Sequence, residues 1–221
     1  MKKRGLLKST GIFSANTLLS RVLGFVRDML VAQIFGAGVG YDAFIVAFKL
    51  PNFMRRLFAE GAFSQAFVPI LSEYQSESEH QAVRLFIDRI AGSLGSVLFI
   101  FTLLAMLFAP LLVRVFAPGF HVDDPRFLLA SHMLRITFPY LMFISLTALC
   151  SAVLNTYGRY GIPAFTPVLL NVCLIVAAAW WSHHMAIPIY AMAWGVFIAG
   201  IIQLLFQLPF LARMKLMPRP K

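Results

Sequence analysis

The sequence predicts an all-α integral membrane protein with six transmembrane helices. Composition and run length carry that prediction. Of 221 residues, 60% are hydrophobic and 13% are charged, about half the roughly 25% charge of an ordinary soluble domain. Mean hydropathy is +0.80. Uncharged runs cover 90–113, 136–158 and 161–212, each at least the ~20 residues needed to cross a bilayer. The last is long enough for two helices, divided near SHHMAIP (182–188).

The spans fall near 9–35, 42–71, 88–116, 127–156, 162–181 and 187–212. The first follows a basic start of Lys2, Lys3, Arg4 and Lys8. No A-x-A-like cleavage site precedes its arginines, so it is expected to be retained as a helix. FGAGVGYD (35–42) turns the chain into the second span, which ends before SEYQSESEHQAVR (72–84), the one long polar stretch. APGFHVDDPRF (117–127) separates spans three and four, and NTYGRYGIP (155–163) separates four and five. These are Gly/Pro/Asp turns, and none resembles a linker between soluble domains. Pro51, Pro110, Pro139, Pro163, Pro167 and Pro209 mark bends or helix ends, which membrane helices tolerate.

Orientation follows from the Lys/Arg asymmetry. With the N-terminus in the cytoplasm, the inner segments hold the basic start, then Arg84 and Arg89, Arg159, and finally Arg213, Lys215, Arg219 and Lys221. The outer connections hold Arg126, with Arg114 near a boundary. An even number of spans returns the basic C-terminus to the same side. This asymmetry accounts for most of the formal charge of +10. Nucleic-acid binding is not expected, because the cations are dispersed among helices.

Other chemistry finds little support. GAGVG (36–40) has no strand before it and reads as a turn, not a dinucleotide loop. His183 and His184 have no carboxylate or cysteine nearby, so no metal site is expected. Cys150 and Cys173 lie in apolar segments and read as packed thiols. With no nucleophile–base pair or paired carboxylates in the spans, no enzyme activity and no cofactor are expected.

What the positive-inside pattern leaves over is a set of charges within the first two spans. An α-helix turns about 100° per residue. With Arg21 at zero, Asn16, Thr17, Ser20, Gly24, Arg27 and Asp28 fall within one arc of about 140°, and Val22, Leu23, Phe25 and Val26 fill the remainder. In span two, Asp42, Lys49, Asn52, Arg55, Arg56 and Glu60 share a second arc of about 140°, with Leu50, Phe53, Met54 and Leu57 opposite. A charge at mid-membrane costs roughly 2.5–3.5 kcal/mol. Two arrangements meet that cost. One is an internal salt-bridge network with snorkelling arginines, Arg56 and Glu60 pairing at i, i+4. The other is a hydrated cationic cavity for an anionic substrate, where the planar fork of arginine suits phosphate or pyrophosphate.

SRVLGFVRD (20–28), FGAGVGYDAFIVAFKLPNFMRRLFAEGAFSQAFVPIL (35–71) and NTYGRYGIPAFTPVLLN (155–171) closely resemble the MurJ (MviN) lipid II flippase family of bacterial peptidoglycan synthesis, within the MOP exporter superfamily. The resemblance implies two six-helix lobes facing one another around a central cationic cavity, plus two further helices. It implies that lipid II moves from the cytoplasmic to the periplasmic leaflet by alternating access, in the bacterial inner membrane and with membrane lipids around it. It carries substrate contact onto Ser20, Arg21, Arg27 and Asp28, onto Asp42, and onto Lys49, Asn52, Arg55 and Arg56. This chain ends at MPRPK after one lobe, so it is expected to be a fragment whose partner is the missing second lobe of the same protein. The alternatives are a related MOP exporter of another lipid-linked oligosaccharide or of cationic drugs, a membrane enzyme acting on prenyl-phosphates, and a small scaffold protein. A drug exporter should have an acidic cavity, the enzyme should show an acid/base pair, and a scaffold has no use for mid-helix arginines.

Overall fold

The computed structural model describes residues 2–56, 63–77 and 80–218. These form α1 (Lys2–Phe35), α2 (Val39–Arg55), α3 (Phe63–Glu77), α4 (His80–Leu107), α5 (Ala109–Phe116), α6 (Pro125–Thr137), α7 (Tyr140–Thr156), α8 (Gly161–Ala179) and α9 (Tyr190–Arg213), with a 3-10 turn at Trp181–His184. Among the described residues, four stretches are long and apolar enough to cross a membrane: His80–Leu107, Pro125–Thr156, Gly161–Ala179 and Tyr190–Arg213. They overlap the last four spans expected from the sequence, the first of them shifted toward the N-terminus. α1 has 34 residues, ample length for a crossing, but the polar residues between Asn16 and Asp28 dilute its hydropathy.

Boundaries moved where polar sequence conceals a buried stripe. The stretch 72–84 is helical up to Glu77 and again from His80, not a loop. Val83 and Ile87, spaced i, i+4, are 1% and 0% exposed and extend α4 by two turns ahead of its apolar block. The expected third span divides at Phe108, and Pro110 sits in the first turn of α5, where a missing N–H costs nothing. The fourth divides at Phe138 and Pro139, between α6 and α7.

α1 lies along α8, α8 and α7 flank α9, and α2 packs on α6 while also touching α5, α7 and α9. One apolar core joins α2, α5, α6, α8 and α9 through residues such as Ala47, Val113, Met133, Leu134 and Val196. The other joins α3, α4, α7 and α9 through Leu71, Ile87, Val153 and Leu211. In lipid, helices gain little by hiding apolar surface from one another, so close backbone approach and interhelical hydrogen bonds carry more of the association. α9 shows the first device. A Cβ on Gly195 would stand 2.7 Å from that of Ala177 in α8, and one on Gly200 would stand 2.9 Å from Tyr140 Cδ2 in α7.

The second device appears where it matters for the site. Pro51 lies inside α2, and a helical proline strips the i−4 carbonyl of its N–H donor. That carbonyl belongs to Ala47. The Thr137 hydroxyl of α6 donates to it at 2.7 Å, and Thr137 is fully buried. A side chain on a neighbouring helix thus completes the backbone of α2, as membrane helices require. It fixes the path of the chain into Asn52, Arg55 and Arg56. At the other end, Asp124 caps α6 by accepting from the Arg126 backbone N–H. The Arg126 guanidinium holds the Asp124 carboxyl below its ordinary range and also lies 3.6 Å from Asp42 of α2.

Thr137→Val should therefore destabilise the protein by about 1–3 kcal/mol, the cost of orphaning a buried carbonyl. In a Pro51→Ala background, where residue 51 regains its N–H, the same substitution should cost much less. Thermal unfolding of the four detergent-purified proteins checks both, and equal costs in the two backgrounds would exclude the pairing.

Candidate functional site

The polar arc of α1 divides into two flanks. One flank is seated on α8. Asn16 Nδ2 donates to the Gly161 carbonyl at 3.1 Å. Higher up, Asn171 is 6% exposed within an otherwise apolar helix. Its amide nitrogen donates to the Ser20 carbonyl at 2.9 Å, and its oxygen accepts from Arg27 Nη1 at 2.8 Å. The other flank, with Arg21 and Asp28, stays exposed. Asp28 turns back onto Arg27, its Oδ1 accepting from Nε at 2.9 Å and from Nη2 at 2.7 Å. Arg27 is thus gripped on two sides. A guanidinium has five N–H donors, and these three bonds leave capacity for an incoming anion.

Beyond Arg27 opens a cavity of about 750 Å³ between α1, α2, α8 and α9. Arg27 and Asp28 border it from α1, and Lys49, Asn52, Arg55 and Arg56 from α2 and its end. Four cations therefore face one carboxylate. Tyr41, Phe44, Phe48 and Phe53 add aromatic surface, with Val31, Leu174 and Met192 as apolar wall. Asn52 is held within its own helix, its Nδ2 3.3 Å from the Phe48 carbonyl and its Oδ1 3.4 Å from Arg55 Nε. The size lies in the ordinary range for ligand sites. The joint presence of cations and aromatic rings suits a group that is both phosphorylated and partly apolar.

Of the nine residues expected at the site, six line this cavity. Ser20 lies below it and contributes to the α1–α8 seam. Arg21 is on the exposed flank. Asp42 is at the opposite end of α2, beside Arg126, and does not line the cavity. Glu60, the acid offered to Arg56 by sequence spacing, lies outside the described residues. Asn171 was missed. Its signal was a lone carboxamide in an uncharged span, a costly residue in lipid unless it has a partner.

The sequence profile described as "Lipid II flippase MurJ" matches residues 31–221. The chain belongs to the MurJ lipid II flippase family. It is 48% identical to the "Probable lipid II flippase MurJ" of Vibrio cholerae over 98% of this chain and 42% of that protein. It is 47% identical to the "Lipid II flippase MurJ" of Burkholderia cenocepacia over 97% of this chain and 41% of that one. Among solved structures, "Lipid II flippase MurJ, inward closed conformation" superposes with a TM-score of 0.70 at 27% identity, covering 95% of this chain and 42% of that structure. The chain therefore spans about two-fifths of the length of the relatives it matches.

The Arg27–Asn171 contact should carry measurable energy. Asn171→Leu leaves the Nη1 edge of Arg27 without its acceptor and should cost about 1–3 kcal/mol of stability. Combined with Arg27→Leu, the two losses should fall short of their sum by more than about 0.5 kcal/mol. Strict additivity in thermal unfolding would mean that the contact contributes nothing.

Proposed function

We propose that the chain is the N-terminal lobe of a transporter that flips the undecaprenyl-pyrophosphate-linked precursor lipid II from the cytoplasmic to the periplasmic leaflet, by alternating access against a second lobe of the same protein. The observation that carries this reading is the cavity in which Arg27, Lys49, Arg55 and Arg56 outnumber Asp28, on helices of a membrane bundle, in a family named for that substrate. Pyrophosphate needs several forked donors in one place. Arg27 and Arg55 are assigned to the phosphates, Asn52 to a further hydrogen bond, and Asp28 to the orientation of Arg27. Lys49 and Arg56 add to the field. Ser20 acts through Asn171. Arg21 and Asp42, which do not line the cavity, are proposed to meet the substrate only in another state of the cycle. The protein is a transporter and not an enzyme, multi-pass in the bacterial inner membrane, with both termini cytoplasmic.

A guanidinium fork is not replaced by an ammonium point charge. In the full-length protein, Arg27→Lys and Arg55→Lys should accumulate normally yet bind lipid II about ten- to a hundredfold more weakly, the equivalent of one lost charge-assisted hydrogen bond. Translocation should fall accordingly. Exposed Arg159→Lys is the control. In the same panel, a cysteine at Asp123 should react with an impermeant thiol reagent in intact cells, and one at Arg159 only after permeabilisation. Cavity variants that behave like the control would assign the arginines to structure, and the reverse labelling pattern would invert the orientation.

A further inference from the structure

A second recess, of about 560 Å³, opens beside the cationic cavity and shares Asn52 and Arg55 with it. Its chemistry differs. Thr147, Ser151 and Asn155 of α7, Thr166 of α8 and Gln203 of α9 line it, and among the described residues no carboxylate does. Gln203 is 2% exposed. Its Nε2 donates to the Thr166 carbonyl at 2.9 Å, which fixes the orientation of the amide, and its Oε1 accepts no hydrogen bond. Below it, Gln207 Nε2 donates to Ser151 Oγ and to Thr166 Oγ1, both at 2.8 Å. A buried carbonyl oxygen without a donor costs free energy, and it is kept here by a network that holds its own nitrogen elsewhere.

The wall selects among ligands. A cation would meet Arg55 and no carboxylate. A phosphate would find one arginine where the neighbouring cavity offers more. An alkyl tail would leave the buried Gln203 oxygen without a donor. What fits is an uncharged group rich in O–H and N–H donors, with an apolar face for the Pro163 and Pro167 side of the recess. Resting on the pyrophosphate reading above, we propose that this recess binds the amide-bearing sugar attached to the phosphate, with Gln203 and Asn155 as the residues that distinguish a glycosylated lipid from a bare one.

The test uses the full-length protein in nanodiscs and two probes, lipid II and undecaprenyl pyrophosphate, which carries the anion and tail without the sugar. Gln203→Leu and Asn155→Ala should each weaken lipid II binding about three- to tenfold, as loss of a neutral hydrogen bond does, and leave undecaprenyl pyrophosphate unchanged. Arg27→Lys should weaken both. If Gln203→Leu does not yield a monodisperse protein, Asn155→Ala, at a half-buried residue of the same wall, decides the matter. Equal loss for both lipids, or loss for neither, in the recess variants overturns the proposal. Arg27→Lys without effect on either lipid overturns the pyrophosphate reading instead, while a selective loss in Gln203→Leu would still stand.

Discussion

The contact on which this lobe depends is the one between Arg27 and Asn171. An arginine within a membrane helix must be given polar company or water. Here it receives polar company and faces a cavity. Asn171 and Asp28 hold the guanidinium from two sides, and the third side opens on a cavity. Because Asn171 also binds the Ser20 carbonyl about two turns earlier, a single carboxamide fastens α1 to α8 and aims the charge. Without it, Arg27 would keep only Asp28, and its Nη1 edge would lose its acceptor on α8.

The same logic governs α2. Pro51 interrupts the hydrogen-bond ladder just before the residues that border the cavity, and Thr137 repairs the break from outside the helix. The cationic wall is thus built from two helices that are each incomplete alone. α1 needs α8 for its polar flank, and α2 needs α6 for its backbone. A site assembled from side chains supported by other helices holds its geometry better than one hung on loops.

The last four spans were legible because uncharged runs of crossing length have few other uses. α1 and α2 were legible from the segregation of charge to one arc, since periodicity survives where mean hydropathy fails. The split of the α1 arc was not. Helical angle places Asn16, Ser20, Gly24 and Arg27 on the same broad face as Arg21 and Asp28, and nothing in the angle says which flank meets protein and which meets water. That division is set by Asn171, some 144 residues away from Arg27, and a contact of that separation leaves no local trace. Asp42 shows a related limit. Its angle groups it with Lys49 and Arg56, but about two to four turns of rise along α2 separate it from them and bring it to Arg126. Position along the axis matters as much as position around it. The helical character of 72–77 and 80–84 was hidden because Val83 and Ile87 are few among polar neighbours.

The central claim is that one flank of α1 borders water inside the membrane while the rest does not. Single cysteines from position 20 to position 31 of the full-length protein, probed in sealed vesicles with a small charged thiol reagent, test it most directly. The account predicts fast reaction at 21 and 28, slower reaction at 20 and 24 on the α8 seam, and none at 22, 25, 26 and 29, where the exposed side chains are apolar. Uniform protection across the helix would mean that the charges are sealed in a dry salt-bridge network, and the hydrated cavity would have to be abandoned.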